Sequence, residues 1–181
     1  MIYIFLADGF EEIEAIATLD ILKRANINVK TVGVNGNYIT GAHGVIIKTD
    51  ETNFSKQDIE GIILPGGMPG TTNLDKSIQV NEAIDHCVKN KLYIFSICAA
   101  PSILGSRGLF KNKNVTCFPG FEKNLLYANV SSDSVCVDEN FITAKGPGVS
   151  FDFAFKIVEI LKSKKLSDEI KSSMQCIWTM T

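Results

Sequence analysis

Cysteine and histidine are the side chains of this 181-residue chain best suited to nucleophilic, redox or metal chemistry, and it carries Cys87, Cys98, Cys117, Cys136, Cys176, His43 and His86. The number of cysteines is odd, no two form a C-x-x-C pair and no histidines cluster with them, so neither a disulfide framework nor a structural zinc site is expected. Cys98 differs from the others in position. It closes the apolar run Leu92 to Ile97 and precedes Ala99 to Leu104, which has helical character and carries Pro101 where a first turn tolerates it. A sharp strand-to-helix turn pushes such a sulfur out of the sheet, and the helix N-terminus lowers its pKa. On position alone Cys98 is either that nucleophile or a small buried hydrophobe, the ordinary state of a free cysteine. Gly66-Gly67 either presents bare backbone N–H groups to an oxyanion or makes a plain tight turn. Cys87 lies on an apolar helical stripe, Cys117 and Cys136 in strand-like runs and Cys176 near the end of the chain; each is read as packing.

The elements that must position these residues alternate between strand and helix. Ile2 to Ala7 is a continuous apolar run, expected as a strand buried on both faces, and Glu11 to Ala25 is expected as a helix with Ile13, Ile16, Ala17 and Ile21 at helical spacing. Asn28 to Val34 reads as a strand and Tyr38 to Lys48 as a small hairpin. Gly61 to Leu64 is a buried run stopped by the loop Pro65 to Gly70. Val80, Ala83, Ile84, Cys87 and Val88 define the clearest helix, with His86 on its polar face. Val115 to Phe118, and a hairpin of Ser134 to Val137 with Phe141 to Ala144, are expected to complete the sheet. Gly146-Pro147-Gly148 opens a helix over Ser150 to Leu161, and helical patterning fades at about Met174, so Met174 to Thr181 is expected as a loose tail. This alternation implies an α/β fold, a mostly parallel sheet with helices on both faces, and ligands beyond the carboxyl ends of its strands. Asp8 to Glu14, Pro65 to Gly70 and Cys98-Ala99 all fall at such ends.

The length suits one domain spanning residues 1–181, and 45% hydrophobic residues are enough for a substantial core. A net charge of −2 with no basic run longer than Lys164-Lys165 argues against nucleic acid and against a polybasic membrane patch. Ile2 to Ala7 is too short for an anchor and lacks the basic flank of a signal peptide, so a cytoplasmic protein is expected. No G-x-G-x-x-G or Walker loop follows the first strand, which ranks a nucleotide-binding domain last.

Four segments together resemble the ThiJ/PfpI superfamily, in particular the Parkinson-disease protein deglycase branch and its bacterial relatives. They are Ala7-Asp8-Gly9-Phe10-Glu11-Glu12-Ile13-Glu14, Leu64-Pro65-Gly66-Gly67, Ile97-Cys98-Ala99-Ala100-Pro101 and Gly146-Pro147-Gly148 with Phe151, Phe153 and Ala154. The resemblance implies a flavodoxin-like sandwich, like that of class I glutamine amidotransferases, usually as a homodimer and without cofactor or metal. It implies Cys98 as nucleophile, Glu14 as a carboxylic acid hydrogen-bonded to the thiolate, and the Gly67 and Ala99 amides as an oxyanion pocket. Gly66, Phe118, Gly146 and Pro147 are expected to line that pocket. Without the resemblance Glu14 would be an ordinary solvated acid of a first turn; beside a thiolate its pKa should rise through like-charge repulsion.

Two departures bear on activity. Phe118 stands where many members of the branch carry a histidine, and Ala99 stands where protease-like and chaperone-like branches carry one; no His-x-Glu of the amidotransferase kind follows. Proteolysis and glutamine hydrolysis therefore lack their base. His43 is a candidate for the pocket or an interface, and His86 for the surface. The implied activity is a cofactor-independent conversion of small aldehydes or dicarbonyls, methylglyoxal to lactate by a glyoxalase III-type reaction, or deglycation of glycated proteins. The rival is a redox-sensing or chaperone-like protein whose Cys98 is oxidised without turnover.

Overall fold

The computed structural model describes residues 1–176. Strand β1 (Ile2–Leu6) is buried at every position, as a strand covered on both faces must be. Helix α1 (Glu12–Arg24) follows, with Glu12 and Glu14 in its first turn and Lys23 and Arg24 in its last, each sign complementing the helix end it occupies. Strand β2 (Val29–Gly33) leads to a separate antiparallel hairpin of β3 (Tyr38–Thr40) and β4 (Ile46–Lys48). After β5 (Gly61–Leu64) come α2 (Gly70–Lys76) and α3 (Ile78–Asn90); Ser77 ends the first and caps the second, its side chain accepting from the Val80 N–H. Strand β6 (Tyr93–Ile97) and helix α4 (Pro101–Ser106) flank Cys98. Strands β7 (Asn114–Val115) and β8 (Asn129–Val130) form a two-stranded appendage on either side of a 3-10 turn at Glu122–Asn124. Strands β9 (Val135–Asp138) and β10 (Phe141–Ala144) precede helices α5 (Ser150–Leu161) and α6 (Lys164–Ser173).

The central sheet has the order β2-β1-β5-β6-β10-β9, and every neighbouring pair is parallel except β10 with β9. One core lies between the sheet and α1, α5 and α6, with Leu6, Phe95, Phe153 and Phe155 among its members. A second lies under α3 and α4, with Phe5, Ile84, Leu104 and Phe110. Each fully buried side chain of this size contributes roughly 1.5–3 kcal/mol, so the sheet is fixed from both faces. This is the expected α/β flavodoxin-like sandwich.

Three local expectations need correction, and two helices add to the expected pattern. The buried face of α1 carries Glu12, Glu14, Ala15, Thr18, Ile21 and Leu22, whereas Ile13 and Ile16 are 54% and 40% exposed. Apolar spacing misleads there because polar groups occupy the inner face. Val115 does not join the central sheet, pairing instead with Val130, and Thr116 to Phe118 run on without strand geometry. Helix α2 begins at Gly70, directly out of the glycine loop. Helix α6 follows α5 after two residues, capped by Ser163, and its sparse apolar stripe ends on the buried Ile170. Of the expected tail, Cys176 is buried against the first core, and 177–181 lie outside the described residues.

Candidate active site

Strands β1, β5, β6 and β10 are consecutive in the sheet and all parallel, so the segments leaving their carboxyl ends meet at one edge. Cys98 is the first residue beyond β6. Its φ of 64° lies in the left-handed region, costly for a residue with a Cβ and persistent only when its surroundings hold it. They do: the Cys98 N–H donates to the Ala144 carbonyl at 2.9 Å, and the Cys98 carbonyl accepts from the Phe118 N–H at 2.8 Å. The helix begins at Pro101, so Cys98 to Ala100 form a turn and the strained elbow stands clear of regular helix or strand.

Glu14 reaches the elbow from α1. It is fully buried, and its Oε2 accepts from the Gly66 N–H at 2.6 Å. Gly66 marks the point of convergence: a Cβ there would lie 2.7 Å from the Cys98 Cβ, 2.9 Å from Glu14 Oε2 and 3.0 Å from the Ala99 nitrogen. Gly67, at φ +87°, lies so close to the backbone of Gly9 and Glu11 that a Cβ would stand 2.4 Å from the Glu11 nitrogen. The N–H groups of Gly67 and Ala99 favour the thiolate form of Cys98. Glu14 Oε1 is sealed from solvent without a partner of regular geometry, while the Cys98 thiol is close enough to act on the carboxyl as a hydrogen-bond partner.

Burial pushes the Glu14 carboxyl up to about 7, aided by the charge of Glu11 and opposed by the Gly66 N–H and the Cys98 thiol. The direction is as expected; the leading cause is desolvation rather than repulsion by a thiolate. For Cys98 the expectation of a low pKa is overturned. Burial first, and then the charge and hydrogen bonding of Glu14, push the thiol up to about 12, outweighing the Gly67 and Ala99 N–H groups. At 9% exposure Cys98 is the most open of the five cysteines and still largely enclosed. Thiol and carboxyl titrate as a pair: an ionised Glu14 keeps the proton on sulfur, and a neutral Glu14 removes the repulsion and can donate to sulfur.

An apolar cleft of about 320 Å³ is lined by Phe118, Gly146, Pro147 and Val149 among others, bringing together three of the expected pocket residues; Gly66 and Cys98 are not part of its lining. The Phe118 ring is 42% exposed and fills the space next to Gly146, where a Cβ would meet it at 2.9 Å. His43 stands apart. It belongs to the β3–β4 hairpin, its backbone N–H and Nδ1 bind Glu12 at 2.7 and 2.8 Å, and those contacts together with the charge of Glu11 raise its pKa. His86 is half-buried on α3, next to Asn90.

Glu12 is a residue that helical patterning alone does not single out. Its carboxylate is buried and accepts from His43 and from the Val45 N–H. Burial alone would raise its pKa; the hydrogen bonds outweigh that and hold it below the usual value. Glycine at position 41 is the available signal, since a Cβ there would lie 2.2 Å from Glu12 Oε1. Glu11, Glu12 and His43 place three metal-capable atoms within 4.8 Å of one another, and Glu12 spends both oxygens on the hairpin, so the group is accounted for as a latch.

The site is thus a buried carboxyl against a strained cysteine elbow, at the carboxyl edge of a doubly wound parallel sheet. The chain belongs to the DJ-1/PfpI family, whose profile matches residues 1–160. It is 31% identical to the Drosophila melanogaster protein dj-1beta, covering 94% of each chain. It is 32% identical to a Caenorhabditis elegans protein named glutathione-independent glyoxalase DJR-1.2, over 88% of this chain and 87% of that one. A crystal structure of a DJ-1 superfamily protein from Salmonella typhimurium superposes with a TM-score of 0.91 at 30% identity, covering 96% of this chain and 97% of that one.

Proposed function

We propose that this protein converts small 2-oxoaldehydes such as methylglyoxal into 2-hydroxy acids, with Cys98 as nucleophile, Glu14 as proton carrier and no cofactor. The observation that carries this reading is the Glu14 carboxyl, fixed by the Gly66 N–H against the Cys98 elbow with its pKa raised to about 7, where a group can both take and give a proton. The likeness to the nematode protein named a glyoxalase supports it.

In the proposed cycle the Glu14 carboxylate takes the thiol proton as sulfur bonds to the aldehyde carbon. The resulting oxyanion is met by the Gly67 and Ala99 N–H groups and protonated by Glu14, giving a hemithioacetal. Glu14 then removes the hydrogen from that carbon, the electron pair forming an enediolate with the charge on the neighbouring oxygen. It returns the proton to the second carbon, and the hydroxyl proton of the first carbon passes to the second oxygen, leaving a thioester. Water cleaves the thioester, releasing the hydroxy acid and restoring the thiol; the sum is methylglyoxal plus water to lactic acid. Phe118 provides no second proton-transfer group, so Glu14 serves every step. Deglycation of proteins would follow from the same residues, directly or by removal of free dicarbonyl.

Two further readings complete the proposal, the first resting on the family resemblance and the second on the sequence. Copies of the chain pair through the apolar patch made by Ile13 and Ile16 of α1 with Val45 and Ile46 of the hairpin, all at least 40% exposed. The protein works in the cytosol, in keeping with five free cysteines; no helix among the described residues is long and apolar enough to cross a membrane.

Intact-protein mass spectrometry of Glu14→Gln with methylglyoxal tests the cycle. The expected result is one molecule added slowly at Cys98 and held there: without the Glu14 charge that keeps the proton on sulfur, the thiol can lose that proton to water during addition, whereas the carbon-to-carbon proton transfer has no carrier. Absence of any adduct on Cys98, with peroxide adding oxygen to that sulfur, favours the redox-sensing alternative instead.

A further inference from the structure

A groove of about 370 Å³ runs beside the elbow between α2, α4 and the 3-10 turn at Glu122–Asn124. It starts at Met68, the residue after Gly67, and extends past Ser102, whose hydroxyl donates to the Ala99 carbonyl at 2.6 Å. Two of its lining residues are thus linked to the pair that supplies the oxyanion amides, Met68 by the chain to Gly67 and Ser102 by a hydrogen bond to Ala99.

The lining has a definite chemistry. The Thr72 hydroxyl, the Asp75 carboxylate and the Asn124 amide line the groove without a side-chain partner among the described residues. Ser102 and Ser106 donate their hydroxyl protons to carbonyls of their own segment, so they meet the groove with acceptor lone pairs. The half-buried Phe121 adds an aromatic wall. Among the described residues no basic side chain lines it, which disfavours an anion, and the density of oxygens disfavours a purely apolar group. Asp75 is exposed and followed by Lys76, and Asn124 is preceded by Lys123, so the field left for a cation is weak. Neutral groups that both donate and accept, on a short chain that can lie against a ring, satisfy the whole set.

We propose that this groove binds the polyhydroxylated tail of the substrate, so that sugar-derived 2-oxoaldehydes of five or six carbons are held better than methylglyoxal. This rests on the dicarbonyl reading of the Cys98 site. With the carbonyl end at the sulfur, successive hydroxyls would donate to Asp75 and exchange hydrogen bonds with Thr72 and Asn124.

The test has two arms. In the first, kcat and KM are measured for 3-deoxyglucosone and for methylglyoxal on wild type, Asp75→Ala and the double variant Asp75→Ala/Asn124→Ala. Loss of one or two such hydrogen bonds should raise KM for 3-deoxyglucosone about tenfold and leave the methylglyoxal constants unchanged. Equal effects on both substrates, or none on either, overturn the proposal. In the second arm, saturation-transfer NMR on Cys98→Ala compares sorbitol, which has no carbonyl, with Nα-acetyl-lysine amide. Transfer to sorbitol that disappears in Cys98→Ala/Asp75→Ala/Asn124→Ala supports the groove even if no dicarbonyl turns over, which separates its fate from that of the catalytic reading. Transfer to the lysine derivative alone makes the groove a cation site and overturns the proposal.

Discussion

At the scale of single residues, the central feature is that Glu14 and Cys98 are buried together with no cation beside them among the described residues. Burial raises the cost of ionising both, and an ionised Glu14 raises it further for Cys98, while the Cys98 thiol favours the Glu14 carboxylate; the net effect is a site that holds protons which would be lost in water. Glu14→Gln preserves the size of the side chain and an acceptor for the Gly66 N–H while removing the movable proton. Dicarbonyl turnover should fall at least about 100-fold, the usual contribution of general acid–base transfer, with the far-ultraviolet circular dichroism spectrum unchanged. Stability offers a second check. The folded-state pKa of Glu14 is raised, so its contribution is fully present below the unfolded value of 4.5 and is lost as pH rises through about 7. Across that window unfolding free energy should decline by on the order of 3 kcal/mol. Denaturant titrations at several pH values should show this decline in wild type and a flatter profile in Glu14→Gln; equal slopes would contradict the assignment.

Elements matter because the site is assembled from four strand ends, and one atom of added bulk at their meeting point should be felt. Gly66→Ala would press on the Cys98 Cβ, Glu14 Oε2 and the Ala99 nitrogen at once. Steady-state assays should show turnover slowed by a factor of about ten or more, since small displacements of reacting groups are expensive, together with a lower melting temperature. The Glu12 latch makes a prediction about the hairpin: Glu12→Ala removes the acceptor for His43 and Val45, so amides over residues 41–48 should exchange faster while those of β5 and β6 keep their protection. Most of this scaffold is legible in the sequence. The continuous apolar runs at Ile2, Gly61 and Leu92 could only be buried parallel strands, and the residues ending them, Glu14 aside, had nowhere to go but one edge. The inner face of α1 is only partly legible, because a helix that buries Glu12, Glu14 and Thr18 beside Ile21 turns Ile13 and Ile16 outward, and because the partners of the two buried carboxylates come from Gly66 and the hairpin, far away in sequence. The pKa of Cys98 escapes a sequence reading for a related reason: the short turn before Pro101 leaves burial and Glu14, rather than the helix end, in control.

For the whole molecule, the exposed isoleucines that make the α1 pattern misleading become informative. A helix that places Ile13 and Ile16 outward beside Val45 and Ile46 carries an apolar patch that a second copy would cover. Sedimentation velocity at micromolar concentration should report a dimer, and Ile13→Glu/Ile16→Glu a folded monomer; a wild-type monomer would refute the pairing. The central claim, that this fold turns a buried cysteine and a buried carboxyl into a cofactor-free dicarbonyl enzyme, is tested most directly by an assay for lactate. Purified protein is incubated with methylglyoxal in the absence of glutathione, wild type beside Cys98→Ala. The account predicts lactate formed in proportion to wild-type enzyme and none above background from the variant. Equal lactate from both, or none from wild type, would contradict it.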